Sequence, residues 1–341
     1  MGQILFGLFA VFLVLGIPVG FVLALASIGA IFQADYPIVV LSQRFFTSLD
    51  SFPLMAIPLF MLAGSIMGYG GITRRIIDFA LSFVGNIRGS LAHVVSLSGI
   101  IMGGISGSGV ADTAALGSIM IPEMTKRKYD IGFSAALVAA SGSIGLIIPP
   151  SIALIIYGVT TNASIGDLFV AGIIPGVLMG LGFLAYSYYV ARKYNYPKEG
   201  KVSFKGKWKS FKEASWALVM PFIIIFGIRG GVFTATEGGA VVAVYSLLVS
   251  MFIYKEIKIK DLPNIMYEAA ISTATIATII AATSLFSWLL ASQQIPQQIT
   301  TALLGVTDNK IVLLLLINLL LLMAGMFLDS GPAIMLLAPI L

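Results

Sequence analysis

Asp112-Thr113, eight residues and Pro122 recur as Asp329-Ser330, eight residues and Pro339, 217 positions later. Each follows a glycine-containing apolar run, 100–109 and 319–325, and each leads into another apolar run. A carboxylate at membrane depth costs roughly 2.5 kcal/mol or more at a helix centre. Two in matching surroundings therefore predict a duplicated functional element, the mark of a transporter whose site lies between two repeats.

The residues around the first pattern name the chemistry. Gly103 to Gly117 reads GGISGSGVADTAALG, with five glycines and two serines, too broken for a continuous lipid-facing helix. Backbone oxygens of Gly103 and Gly104 and the hydroxyls of Ser106, Ser108 and Thr113 are hard ligands suited to a small cation such as Na⁺. Asp112 and Thr113 are expected to cap the returning helix first and to meet an ion or substrate second, with the positive helix end turned to an anion. A second interruption, Ser141 to Ser151, carries Gly142 and Gly145 ahead of Pro149-Pro150. Two successive prolines remove two backbone donors and free carbonyls one turn earlier. In the second pattern Gly325, Asp329 and Ser330 take the corresponding places. A blander reading stands beside this one: small residues for close helix packing, a proline kink and a plain cap. A phosphate loop is excluded, because no strand precedes the glycines and no Walker lysine follows them.

These residues need elements to hold them. Of 341 residues 58% are hydrophobic and 10% charged, with mean hydropathy +1.01, against about 25% charged in soluble domains. A bilayer core about 30 Å thick takes roughly 20 apolar residues per crossing, which predicts an all-α polytopic membrane protein. Expected segments are 4–31, 52–68, 131–160, 167–190, 214–230, 232–254 and 270–292, with 90–122 and 309–341 broken in the middle. Residues 38–50 and 72–88 read as interfacial helices. Glu237 reads as a helix-start carboxylate and His93 as a packing residue. Arg44 and Asp50 are either a docking pair or a solvated one. The absence of cysteine excludes disulfides and thiolate sites.

Positive charge orders the segments. The clusters Arg74/Arg75/Arg88, Lys126-Arg127-Lys128, Arg192 to Lys212 and Lys255/Lys258/Lys260 belong on the cytoplasmic side. Only 90–122 lies between the first two, so it must enter and return as a re-entrant hairpin. One crossing later, 309–341 starts from the opposite face after the uncharged stretch 293–308, read as a non-cytoplasmic loop. Hairpins from opposite faces are what an inverted repeat produces. The expected organisation is 1–88, scaffold and interfacial helices; 89–175, first transport repeat; 176–308, scaffold helices with a basic loop at 191–213 against anionic lipid; and 309–341, the start of the second repeat. Leu341 stands inside an apolar run, and the offset would put the counterpart of 141–151 at 358–368, so the second repeat is expected to continue further.

Whole stretches carry a resemblance. LDSFPLMAIPLFMLAGSIM (49–67), GISGSGVADTAALGSIMIP (104–122), IPPSIALIIYGV (148–159), FTATEGGAVVAVYSLLV (233–249) and MFLDSGPAIMLLAPI (326–340) resemble the large membrane subunit of tripartite ATP-independent periplasmic (TRAP) transporters, the DctM-like family. The match runs in the family's order over essentially the whole chain. It departs at Thr234-Ala235-Thr236-Glu237, where the family usually has a proline. The resemblance implies a sodium-coupled secondary transporter in the bacterial inner membrane, without organic cofactor and without enzymatic activity, working as an elevator. It further implies a small four-helix membrane partner, separate or fused, and a periplasmic substrate-binding protein. The substrate would be an organic anion such as a C4-dicarboxylate, sialic acid or another sugar acid. Ion and substrate sites would fall at 103–113, 141–151 and 325–331.

Two rival readings remain at this stage. Two carboxylates sharing a proton would suit an intramembrane aspartyl protease, although GVAD is not the GxGD of that class. A passive channel needs the same hairpins without coupling.

Overall fold

The computed structural model describes residues 1–306 and 309–341 and folds them into helices, with no strand among the described residues. The chain opens with α1 (Gly2–Val14), α2 (Val19–Gln33) and α3 (Val39–Leu49), followed by α4 (Ala56–Tyr69) and α5 (Ile72–Val84). Next come α6 (Ser90–Ser106), α7 (Gly109–Lys126) and α8 (Ile131–Gly142), a 3-10 turn at Ser143–Leu146, and α9 (Ile152–Thr161). The long helices are α10 (Ile165–Lys193), α11 (Phe204–Arg229), α12 (Ala235–Leu248) and α13 (Leu262–Ser292). The last three are α14 (Ile295–Val306), α15 (Lys310–Gly325) and α16 (Ser330–Leu337).

Phe52–Tyr69, Ile165–Lys193, Phe204–Arg229, Ala235–Ile253 and Ile259–Ser292 are long and apolar enough to cross a bilayer by length and composition. They overlap the expected segments at 52–68, 167–190, 214–230, 232–254 and 270–292, but Phe204–Arg229 and Ile259–Ser292 begin about ten residues earlier than expected. The two broken stretches each become a pair of helices, and 131–160 is interrupted around its prolines.

Two expectations are corrected. Residues 4–31 are not one segment but two packed helices, α1 and α2. Gly16 turns left-handed at φ 75° and Pro18 supplies no amide to continue the first helix. The stretch 293–308 is helical over α14 rather than a loop, with Pro296 tolerated in its first turn. Residues 307 and 308 of that stretch lie outside the described residues.

The described chain divides into two compact units. One comprises 55–155 and 164–271, and its helices begin where short polar side chains take up free amides. Ser108, Asp130, Ser164 and Ser203 cap α7, α8, α10 and α11, while Thr234 and Glu237 form a reciprocal capping box at the start of α12. Glu237 is thus a helix-start carboxylate, its Oε2 accepting from Thr234 N at 2.7 Å. α5 shows how the core is seeded. It buries Ile72, Ile76, Ile77 and Ala80 on one face and exposes Arg74, Asp78 and Phe83 on the other. Its Arg75 lies 3.9 Å from the Tyr254 ring centroid and 3.1 Å from Glu256 Oε1. The His93 ring, buried, meets the Gly89 carbonyl at 2.9 Å as a packing residue.

The other unit comprises 1–54, 156–163 and 272–341. Leu5, Leu23, Ala26, Leu285, Phe286 and Leu289 form its core. Arg44 lies over the Trp288 ring at 5.0 Å, so its partner is an aromatic face within this unit.

Candidate functional site: a glycine-lined carboxylate

α6 ends because Gly107 turns left-handed at φ 67°, and Ser108 restarts the chain as the cap of α7. The Ser108 hydroxyl accepts from Ala111 N at 3.3 Å, while Ser108 N donates to the Ser106 hydroxyl at 3.2 Å. Capping therefore falls to Ser108. Asp112 sits one turn inside α7, and the expectation that it caps this helix is corrected. Its counterpart Asp329 does cap: Oδ1 accepts from Ser330 N at 2.7 Å at the start of α16. The two aspartates share a sequence pattern but not a local role.

Freed from capping, the Asp112 carboxylate is 1% exposed, and neither oxygen has a hydrogen-bond partner. Its walls are backbone. A methyl group at Gly145 would stand 2.5 Å from Asp112 Oδ2, and one at Gly103 would stand 3.0 Å from Gly145 N. A methyl at Gly142 would collide with the Thr113 hydroxyl, and one at Gly109 would lie 3.1 Å from the Gly142 carbonyl oxygen. At Gly104 the neighbours are Pro221 and Ile148, 3.4 and 3.6 Å from the same virtual methyl. Gly142 and Gly145 leave no room for a side chain and Gly103 and Gly109 only a tight one, where α6, α7 and the end of α8 approach, whereas a methyl at Gly104 would make ordinary contacts.

The interrupted helix closes against the same turn. After Gly142 the chain narrows to a 3-10 turn that contains Gly145, loses its helix before the cis Pro149-Pro150 peptide and resumes at Ile152. Ser151 bridges the break: its hydroxyl donates to the Leu146 carbonyl at 2.6 Å and accepts from Leu154 N at 3.2 Å. Ile152 N donates to the Gly107 carbonyl at 3.2 Å, and a methyl at Gly107 would lie 2.5 Å from the Pro150 carbonyl oxygen. Gly103, Gly104, Ser106, Ser108, Asp112, Thr113, Gly142, Gly145, Pro149 and Pro150 are thus gathered in one unit. Gly107, Gly109 and Ser151, which lie inside the expected stretches 103–113 and 141–151 but were not singled out there, join them. Their sequence signals were the G-S-G run and the polar residue after the proline pair.

At the far ends of α6 and α7 the residues after α10 form a strap. Glu199 N and Gly200 N donate to the Gly85 carbonyl at 3.0 and 3.2 Å, and Gly89 N donates to the Pro197 carbonyl at 3.0 Å. Tyr196 stacks on Tyr129 at 4.2 Å, and its hydroxyl accepts from Asp130 N at 3.2 Å. Arg127, at the foot of α7, is paired with both Glu123 and Glu199.

Gly325, Asp329 and Ser330 belong to the other unit. Space around Gly325 is open to 4 Å, and Asp329 is exposed. Within that unit α16 helps to line a cavity of about 220 Å³, where Met335 and Pro339 face the hydroxyl-bearing Ser48, Thr160, Ser284 and Ser287.

What the first site can do follows from its charge. A carboxylate shut away from water without donor or cation is among the costliest groups a helix bundle can hold. Loosened backbone beside a buried carboxylate is the setting a small hard cation requires. Among the described residues no cluster of His, Cys, Asp or Glu fits a transition metal.

Comparison with known proteins identifies the family. The family model of the tripartite ATP-independent periplasmic transporter, DctM component, matches residues 6–341. The isethionate TRAP transporter permease protein DctMQ of Oleidesulfovibrio alaskensis is 42% identical over 340 residues, 99% of this chain and 54% of that protein. The sialic acid TRAP transporter large permease protein SiaM of Vibrio cholerae is 40% identical over 327 residues, 96% of this chain and 77% of that one. The 2,3-diketo-L-gulonate TRAP transporter large permease protein YiaN of Escherichia coli is 37% identical over 328 residues, covering 96% and 77%. The chain thus spans about half of the first relative and about three quarters of the other two. These relatives are permeases and not proteases, which removes the enzymatic alternative. The chain belongs to the DctM family of TRAP transporter large permease components.

Proposed function

We propose that this chain carries out Na⁺-coupled uptake of an organic anion across the bacterial inner membrane. It would do so with a small membrane subunit and a periplasmic binding protein that delivers the substrate. The observation that carries the reading is Asp112, a buried carboxylate without a partner, set on glycine backbone beside an interrupted helix. Na⁺ would be held by that carboxylate, the Ser106 and Ser108 hydroxyls and the backbone oxygens of Gly103, Gly104, Gly142 and Gly145. It would supply the missing positive charge. Gly325 and Ser330 would serve the second repeat, with Asp329 as the cap beside them. α6 and α7 form the first re-entrant hairpin, α15 and α16 the second, and an elevator movement gives alternating access. The anionic class rests on relatives named for isethionate, sialic acid and 2,3-diketo-L-gulonate. Fusion in the DctMQ relative supports the small partner subunit.

The test is thermal unfolding of the purified chain in Na⁺ against K⁺ at equal ionic strength, followed by uptake in liposomes with the partner subunit and binding protein. A site filled to 100 times its Kd stabilises by about 2.7 kcal/mol, so Na⁺ should raise the unfolding temperature and Asp112→Asn should abolish the rise. Uptake should need an inward Na⁺ gradient. Unfolding indifferent to the cation, with flux persisting when the gradient is collapsed, would turn the reading to a passive channel.

A further inference from the structure

α11 is longer than a membrane is thick. Its 26 residues span about 39 Å at 1.5 Å per residue, against a hydrocarbon core of about 30 Å. Arg229 marks its apolar end, so the surplus falls on the charged N-terminal turns, within Phe204–Lys212. Those turns carry Lys205, Lys207 and Lys209, and no acidic residue occurs between Lys201 and Lys212. Of the flanking acids, Glu199 is engaged by Arg127, and Glu213 lies 3.9 Å from Lys209. Aromatic rings alternate with the lysines and face outward: Phe204 is 81% exposed and Trp208 63%. Lys207 Nζ lies 5.5 Å from the ring of Phe83, itself exposed on α5. Phe211 anchors this surface, at 5.7 Å from Trp208 and 6.1 Å from Phe79.

We propose that the first two turns of α11, with Phe83 of α5, form a binding surface for anionic phospholipid headgroups of the cytoplasmic leaflet. Three features select lipid over an acidic protein segment. The same helix runs into the hydrocarbon, so covalent continuity puts the surface at headgroup depth. Exposed tryptophan and phenylalanine are the side chains that settle at that depth. Lys205 and Lys207, outside the Lys209–Glu213 pair, stand beside them and attract anionic headgroups. Phosphate oxygens would meet Lys205, Lys207 and Lys209, while Phe204 and Trp208 enter the interface between the chains. α5 leads directly to Gly85, where the strap ties the base of α6, so a bound lipid would steady that base.

The chain has three tryptophans, and Trp216→Phe with Trp288→Phe leaves Trp208 as a sole reporter. This full-length protein is placed in phosphatidylcholine vesicles that carry an equal small fraction of brominated phosphatidylglycerol or brominated phosphatidylcholine. Each lysine near an anionic surface is worth roughly fivefold in binding. Quenching of Trp208 should be several-fold stronger with the brominated anionic lipid. K205Q/K207Q/K209Q should level the two, and K205R/K207R/K209R should restore the difference. Inorganic phosphate at matched ionic strength should leave the preference standing, which separates a lipid surface from a free-phosphate site. Equal quenching in the parent protein would overturn the proposal, as would a preference that survives the glutamine substitutions or yields to inorganic phosphate. Lys205 and Lys209 are exposed and Lys207 lies half-buried over Phe83, and an unchanged elution volume verifies the fold of each variant.

Discussion

Asp112 and the glycines around it make opposite demands on a substitution. Gly145 and Gly142 have no room for a methyl group, so Gly145→Ala and Gly142→Ala should destabilise by about 1–3 kcal/mol, the usual cost of overpacking a close contact. Gly325→Ala, with open space around it, should stay near neutral. Equilibrium unfolding of the purified variants checks this, and equal effects at the three sites would refute the packing account. Asp112→Asn should act the other way. In Na⁺-free buffer it removes a buried charge without a partner and should stabilise by about 1–3 kcal/mol, while in Na⁺ that advantage should shrink or reverse. A variant less stable in both buffers would mean that the carboxylate makes a structural contact instead. The sequence marked Gly103, Gly142, Gly145 and Asp112 but misjudged the aspartate. Helix-start spacing suits Ser108 and Asp112 alike, and only the left-handed turn at Gly107 decides where α7 begins.

At the scale of elements, composition and charge made most of the membrane helices legible, because a span is a statement about length and hydropathy. Breaks inside apolar runs were legible where glycine and proline crowd, as at 103–109 and 141–151. They were missed where a single Gly16-Ile17-Pro18 does the work. The strap at 194–200 left no sequence signal, since its bonds join segments more than 60 residues apart (Asp130 with Tyr196) and run partly through backbone atoms. Two predictions belong here. Ser151→Ala would strip the Leu146 carbonyl of its donor and α9 of its cap, costing about 1–3 kcal/mol; an unfolding curve superposable on the parent would mean that neither bond matters. Glu199→Gln should weaken the half-exposed pair with Arg127 by up to about 1 kcal/mol. Hydrogen exchange should then quicken at the amides of Gly89, Glu199 and Gly200, and protection unchanged at all three would leave the ion pair without a role in the strap.

For the whole molecule, the duplicated pattern is divided between the two compact units, Asp112 in one and Asp329 in the other. Pumping requires more than a site in each. Na⁺ drives uptake only if it favours the state that holds substrate, and linkage makes that preference reciprocal. The proposed symport therefore has a quantitative signature that neither a channel nor a static ion site shares. Calorimetric titration of the large subunit, bound to its small partner, with sialic acid or isethionate should give tighter binding in Na⁺ than in K⁺. The factor should be about 5–150, the range of coupling energies of 1–3 kcal/mol. Na⁺ titrated into the anion-loaded complex should then bind more tightly by that same factor. Agreement of the two factors tests the coupling itself, because each comes from a different ligand and a different leg of one thermodynamic cycle. Anion affinity equal in the two cations would remove sodium as the driving ion, whatever Asp112 holds.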